Sequence, residues 1–131
     1  MTDQLTSFKT SVLAKEKRFD VVTYAYYEED GKLLYSLSDD WREGIYDISF
    51  NFNEISLKKI YYSAPTQTLL QTWLRDVHNI FVYVENSNGF WNWVIETAEG
   101  YIEGKYIQQD EYPRFEAQLE IGLYEALKLI N

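Results

Sequence analysis

The chain of 131 residues has no cysteine, only two prolines and a single histidine. Without cysteine it can form neither a disulfide scaffold nor a thiolate metal site. One histidine cannot supply the repeated spacing that indicates a zinc site. The six glycines are scattered, so the sequence contains no glycine-rich phosphate loop. We therefore expect no cofactor and no metal site.

Long apolar runs are also missing. No stretch approaches the roughly 20 residues that a membrane-spanning helix needs. Met1 leads into TDQLTSFKT, which lacks the basic segment and apolar centre of a signal peptide. No serine stands in the glycine-flanked setting of a hydrolase nucleophile. We expect a cytoplasmic protein that does not associate with membranes, and we expect that it is not an enzyme.

Hydrophobic residues make up 46% of the chain and charged residues 25%, as in ordinary globular proteins. Aromatic residues reach 18%, which is enough for a substantial core with some rings left for the surface. The length favours a single domain. We predict one α+β domain over residues 1–131, with an N-terminal helix-and-strand part at 1–62 and a second part at 63–131.

The net charge is −9, and residues 66–131 hold ten acidic against four basic side chains. Such a surface repels phosphate backbones and anionic lipid, which disfavours general nucleic-acid binding. It would attract a basic partner. Acidity that serves only solubility is the alternative.

The clearest helix covers residues 65–80, PTQTLLQTWLRDVHNI, where Pro65 suits a first turn. Apolar residues at helical spacing predict its inward stripe. They are Leu69, Leu70, Trp73, Leu74 and Val77. A second stripe of Gln67, Gln71, Arg75 and His78 is predicted to face outward. It is either a recognition face or the solvated back of the helix.

The rest of the second part reads as three strands and a helix. Strands are predicted at 80–85, 90–97 and 101–107, separated by turns at 86–89 and at Glu99-Gly100. Pro113 would open the last helix. Gly122 in that helix predicts close approach of another backbone. The expected unit is α-β-β-β-α, an antiparallel meander with both helices on one face.

The first part is predicted to begin with a helix at 2–18. Strands follow at 21–27 and 33–37, joined by a turn at Asp30-Gly31. Residues 38–40 are expected to break the strand, and 41–44 to form a loop. Alternation from Tyr46 to Phe52 predicts another strand, with a further one at 55–62.

Several side chains are candidates for an interaction surface. Trp91 and Trp93 share one strand face, and they are either core residues or an exposed platform. Trp41, in a polar loop, has the best chance of exposure. Glu96, Glu99 and Glu103 lie close to a predicted turn.

Three patches carry a resemblance to known proteins. The segment from 64 to 80 is close to A-P-T-Q-x-L-L-Q-x-W-L-R-x-x-H-x-I, and the patches at 14–20 and 122–130 accompany it in order. In these the chain resembles small uncharacterised prophage and mobile-element proteins of gut-type bacteria. The central matches are Ala64, Pro65, Thr66, Gln67, Leu69, Leu70, Gln71, Trp73, Leu74, Arg75, His78 and Ile80. The resemblance implies a bacterial or phage cytoplasmic context, and it supplies no catalytic residues.

The α-β-β-β-α order is also that of double-stranded-RNA-binding domains, whose last helix opens with basic residues. Here Arg114 stands between Glu111 and Glu116, which is no phosphate clamp. The likeness therefore concerns the fold and not the function.

Three functions stay open at this point. The first is a non-enzymatic interaction protein that uses its acidic surface to bind a host or phage protein. The alternative is a small-ligand or carbohydrate-binding module, or a weak hydrolase, with a pocket lined by Tyr and Trp. The third, nucleic-acid binding, is disfavoured by the charge.

Overall fold

A computed structural model describes residues 3–40, 44–47, 51–54, 59–87, 90–104 and 115–131. Within them, three helices and antiparallel sheets confirm the α+β class. The chain forms two compact units. The first unit is Leu5–Thr66, and the second unit is Met1–Gln4 with Gln67–Asn131. The boundary therefore lies at the start of the central helix, a few residues after the predicted one.

The first unit consists of a helix and short strands. They are α1 (Phe8–Glu16), β1 (Ala25–Glu28), β2 (Leu33–Tyr35), β3 (Leu37–Asp40), β4 (Gly44–Asp47), a 3₁₀ helix (Phe52–Glu54) and β5 (Tyr61–Ser63). One antiparallel sheet has the order β2-β1-β5, and β3 with β4 forms a separate pair. The β1–β2 connection contains Gly31 at φ +89°, as an Asp-Gly turn requires.

Helix α1 is shorter than predicted because both of its ends are capped. The Ser7 hydroxyl accepts a hydrogen bond from the Thr10 amide at 3.2 Å. At the other end Arg18 adopts φ +68°. The amide of Phe19 donates to the Ala14 carbonyl and that of Arg18 to the Lys15 carbonyl, both at 3.0 Å. This is the Schellman pattern that terminates a helix.

Packing in the first unit centres on small and aromatic side chains. Ala25, Tyr27 and Ala64 are buried together. The ring of Phe8 meets the edges of Tyr27 and Tyr62 at centroid distances of 5.5 and 5.7 Å. The α1 helix is thereby fixed on the sheet through aromatic contacts.

Three predictions for the first unit are wrong. Residues 38–40 do not break a strand but belong to β3, where Asp39 pairs with Ile45 and Asp40 with Gly44. Backbone pairing overrides the low strand propensity of aspartate. Phe52 lies in the 3₁₀ helix and stacks on Tyr26 at 4.3 Å, so it is buried without continuing a strand. Of the loop predicted at 41–44, Gly44 instead belongs to β4, where it pairs with Asp40. Residues 41–43, with Trp41, lie outside the described residues.

The second unit has the predicted α-β-β-β-α order. Its elements are α2 (Gln67–His78), β6 (Phe81–Ser87), β7 (Phe90–Thr97), β8 (Gly100–Glu103) and α3 (Phe115–Leu127). The sheet is an antiparallel meander in which Val82 pairs with Ile95, and Ile95 with Ile102. Both helices contact the sheet, and they contact each other. The start of the last helix at Pro113 falls outside the described part of the chain.

Helix α3 packs its middle directly on the sheet. A Cβ added to Gly122 would lie 3.0 Å from Cγ1 of Val82 and from Cβ of Trp93. Close approach is as predicted, but the nearest atoms are side chains of β6 and β7 rather than another backbone. Glycine suits this position because a methyl group here would press against the side chains of two paired strands.

The inward face of α2 is rotated from its predicted position. Leu70, Trp73 and Leu74 are buried as predicted, but Val77 is 61% exposed. Gln67, predicted to face outward, is buried, and Gln71 is half-buried. Both glutamines can turn inward because their amides find acceptors inside the unit.

Candidate functional site

The face of the β6–β7–β8 sheet that points away from the helices carries acidic and aromatic side chains. Register places Phe81, Glu96 and Tyr101 in one row across the strands. The next row holds Tyr83, Val94 and Glu103, and Glu85 lies beyond Tyr83 on β6. Direct partners in antiparallel strands share a face. Val94 and Asn92 lie on the same side of β7 but are buried, at 2% and 3% exposed. We call the remaining residues the acidic face; its members are Phe81, Tyr83, Glu85, Glu96, Tyr101 and Glu103.

The acidic face is open to solvent at its aromatic residues. Phe81 is 42% exposed and Tyr101 is 66% exposed, although both have large apolar rings. Glu85, Glu96 and Glu103 are also exposed. Exposed aromatic rings set among charged groups are typical of protein-binding surfaces.

A hydrogen bond joins two strands on this face. The Tyr83 hydroxyl donates to Oε1 of Glu96 at 2.6 Å. That hydrogen bond raises the pKa of Tyr83 to about 12, with further contributions from burial and from the charges of Glu96, Glu85 and Glu103. The phenol therefore lies in the combined negative field of all three carboxylates.

No basic group neutralises these carboxylates in the part of the chain that the structure describes. The ion pairs found there are Lys59–Glu28, Arg75–Asp76 and Lys128–Glu125. On neighbouring strands, Glu96 and Glu103 occupy diagonal positions, typically about 7–8 Å apart. Their charges repel one another, and a bound cation or basic side chain would remove that repulsion.

The predicted candidates fall in different places. Glu96 and Glu103 lie on the acidic face, whereas Glu99 sits in the β7–β8 turn, where its amide donates to Oγ1 of Thr97. Trp91 and Trp93 are half-buried on the opposite face of the sheet. There the Trp91 ring meets Phe115 edge-on at 5.7 Å, so these two tryptophans pack beneath α3 rather than forming an open platform.

The polar residues of α2 do not form one surface. The Gln67 amide donates to the Glu116 carbonyl at 2.9 Å, and the Gln71 amide donates to the carbonyl of Val82. Arg75 is exposed and paired with Asp76 at 3.0 Å. His78 is half-buried against the edge of the Trp73 ring. The predicted recognition stripe is therefore divided between packing contacts and solvent.

His78 and Glu99, predicted separately, line a common cleft of about 500 Å³. Its described lining consists of residues 78–80, residues 97–102 and Leu129. Among the described residues of this lining, Tyr101 is the one tyrosine and none is a tryptophan.

Sequence reasoning missed four members of the acidic face: Phe81, Tyr83, Glu85 and Tyr101. Their alternation along β6 was visible in the sequence as FVYVE. Combining that alternation with the Glu99-Gly100 turn would have placed Tyr101 opposite Glu96. The missing information was which face of each strand the helices cover.

Comparison with known proteins gives no relative: no family model, no curated protein and no solved structure matches this chain. Among the helices that the structure describes, none is both long enough and apolar enough to cross a membrane. In the same residues, no cluster of three or more His, Asp or Glu side chains is arranged to hold a metal ion.

Proposed function

We propose that the protein is a non-enzymatic protein-interaction module, and that it binds a basic segment of a partner protein through the acidic face. The observation that carries the proposal is a set of exposed side chains on one sheet face, where Glu85, Glu96 and Glu103 form no ion pair with any described residue and lie beside the exposed rings of Phe81 and Tyr101. The carboxylates and the aromatic rings contribute to binding in different ways.

The carboxylates favour a basic partner. Opposite charges across an interface accelerate association and exclude acidic competitors. Lysine or arginine placed beside Glu85, Glu96 and Glu103 would also relieve the repulsion among them. The net charge of −9 extends the attraction beyond the contact itself.

The aromatic rings supply apolar contact area. Tyr101 and Phe81 expose rings that a partner could cover, and tyrosine is enriched among residues that contribute most to binding. A lysine or arginine above the Tyr101 ring would add a cation–π contact. Charge steers the partner, and ring burial then holds it.

This reading is favoured over the two others by the same surface. Nucleic acid would meet the negative field with its own phosphates. A small ligand would use the cleft beside His78, whose described lining has one tyrosine and no tryptophan. The resemblance to prophage and mobile-element proteins favours a host or phage protein in the cytoplasm as the partner.

Binding to an array of lysine- and arginine-rich peptides, at low and high salt, tests the proposal. The variant Glu85→Gln/Glu96→Gln/Glu103→Gln removes the charges of the acidic face. The matched control Glu16→Gln/Asp20→Asn/Glu54→Gln makes the same change in net charge at exposed positions of the first unit.

We expect the first variant to bind the selected peptides about tenfold or more weakly than wild type, and the control to bind them nearly as well. Wild-type binding should fall with salt, since exposed charges are screened. Equal losses in both variants would show that only net charge matters, and would overturn the assignment to the acidic face.

A further inference from the structure

Strand β8 is an edge strand. It pairs with β7 on one side, and no described strand lies on its other side. All four of its residues are exposed, and none of the described strands pairs with this edge. Exposed edge strands with apolar side chains are templates for the addition of another strand.

The ladder shows which backbone groups of β8 point away from β7. The Gly104 amide donates to the Trp93 carbonyl at 3.0 Å, and register makes these two residues direct partners. Hydrogen-bonded pairs in antiparallel strands recur at every second residue. Ile102 and Gly100 therefore point their backbone groups toward β7, whereas Tyr101 and Glu103 point theirs outward.

The two faces of this edge differ in chemistry. The side chains of Tyr101 and Glu103 belong to the acidic face, with Glu96 directly across from Tyr101. Ile102 lies on the other face and is 47% exposed; it lines the cleft together with Ile80 and Leu129. A strand added at β8 would lie beside acidic side chains on one face of the sheet and beside apolar side chains on the other face.

We propose that the partner binds as an extended segment of alternating basic and apolar residues, which adds to β8 as an antiparallel strand. Basic side chains of the segment lie opposite Tyr101 and Glu103, and the apolar side chain between them lies beside Ile102. This inference rests on the proposed function, because it specifies how a basic partner uses the acidic face. Backbone pairing with an edge supplies affinity, and the alternating side chains supply specificity.

Charge selects this occupant over a second copy of the chain. Joining two copies through β8 would merge two acidic faces into one sheet and bring two sets of glutamates together. Like charges on neighbouring strands destabilise such a pair. A basic segment meets the same edge with the opposite sign.

The probe is a short synthetic peptide of alternating lysine and valine, which places all lysines on one side of an extended strand. Two further peptides carry methyl groups on backbone nitrogens, either at the lysines or at the valines. When lysines lie opposite Tyr101 and Glu103, only the lysine amides point toward β8. The two methylated peptides have the same charge and the same number of methyl groups.

We expect methylation at lysine to weaken binding to the full chain about tenfold or more, and methylation at valine to weaken it much less. In amide exchange measured by NMR, the bound peptide should protect the Tyr101 and Glu103 amides. The Ile102 amide, already bonded within the sheet, should change little.

Two protein variants give an independent measurement. Tyr101→Pro removes the outward donor without removing a bond to β7, and Tyr101→Val removes the ring but keeps the donor. We expect the proline variant to bind the lysine-valine peptide about tenfold more weakly than the valine variant. Thermal unfolding of both variants verifies that the sheet is retained.

Each outcome decides between the two proposals. Binding that depends on Glu85, Glu96 and Glu103 but is indifferent to methylation would overturn strand addition and leave the acidic face as a binding site. No binding of the lysine-valine peptide at low salt would overturn strand addition. The peptide array would then test separately whether the acidic face binds basic segments at all. Peptide-free dimerisation that protects Tyr101 and Glu103 would assign the edge to a second copy instead.

Discussion

The side chain of Gln67 donates a hydrogen bond of 2.9 Å to the backbone carbonyl of Glu116 and so joins the first turns of α2 and α3. The same amide lies 3.2 Å from Oε1 of Glu120. A buried polar side chain with two acceptors fixes how two helices pack, because other arrangements leave its donors unsatisfied.

Replacing Gln67 with alanine should lower the free energy of unfolding by about 1–3 kcal/mol, since the half-buried acceptors on Glu116 and Glu120 lose their donor. Urea denaturation measures the change. The control is Gln118→Ala in α3, which is half-buried and should cost far less. Equal costs for the two substitutions would show that the hydrogen bonds of Gln67 contribute nothing specific.

The rotation of α2 shows where sequence analysis stops. Periodicity located the helix within a few residues and identified Leu70, Trp73 and Leu74 as buried. Periodicity could not show that glutamines would be buried. A hydropathy pattern counts Gln67 as polar, whether or not the folded protein provides a hydrogen-bond acceptor for its side chain. That acceptor is a carbonyl far along the chain, at Glu116.

Gly122→Ala tests the closeness of α3 to the sheet. Alanine favours the helix by about 1 kcal/mol, but overpacking against paired strands costs about 1–3 kcal/mol. We expect a net loss of about 1 kcal/mol in thermal or urea unfolding. A gain in stability would mean that Val82 and Trp93 can move aside.

The double variant with Val82→Ala separates the causes. Val82→Ala removes one of the two atoms that an added methyl would meet at 3.0 Å. In that background Gly122→Ala should cost less than in wild type, because the two positions share one contact. Strict additivity would contradict steric conflict with Val82.

The site was only partly predictable for a similar reason. Glu96 and Glu103 were identified from their proximity to a turn, and the strand β7 was predicted with its observed bounds. The assignment of Trp91 and Trp93 stayed open because alternation gives two faces without telling which one a helix covers. Gly122 is the residue that resolves it, since it brings α3 onto the face of Trp93.

The pKa of Tyr83, about 12, depends on its hydrogen bond to Glu96. Glu96→Gln should return that pKa toward 10.0, as followed by NMR of tyrosines labelled at Cζ. Because the folded-state value lies above the unfolded-state value, the phenol contributes its full stabilisation below about pH 10 and loses it as the pH rises toward 12.

Glu99→Gln is the matched control for this titration, because Glu99 lies in the adjacent turn and does not contribute to the shift. It should leave the pKa of Tyr83 unchanged. An unchanged pKa in Glu96→Gln would show that the 2.6 Å hydrogen bond is absent in solution.

Helix ends provide a matched pair of substitutions. Arg18 and Asn79 both have positive φ, +68° and +55°, at the C-terminal ends of α1 and α2. Left-handed backbone strains a side chain with a full Cβ, whereas asparagine tolerates it and glycine is free of strain. The Asn79 amide donates to the Arg75 carbonyl, so both positions close a helix.

Arg18→Gly should therefore raise the free energy of unfolding. The relief of backbone strain, less the cost of the greater conformational entropy that glycine gives the unfolded chain, leaves a gain of about 0.5–1 kcal/mol. Asn79→Gly should change it less, because asparagine already suits that conformation. Midpoints of urea unfolding, compared at equal slopes, measure both effects. A loss of stability in Arg18→Gly would mean that the arginine side chain contributes more than its backbone strain costs.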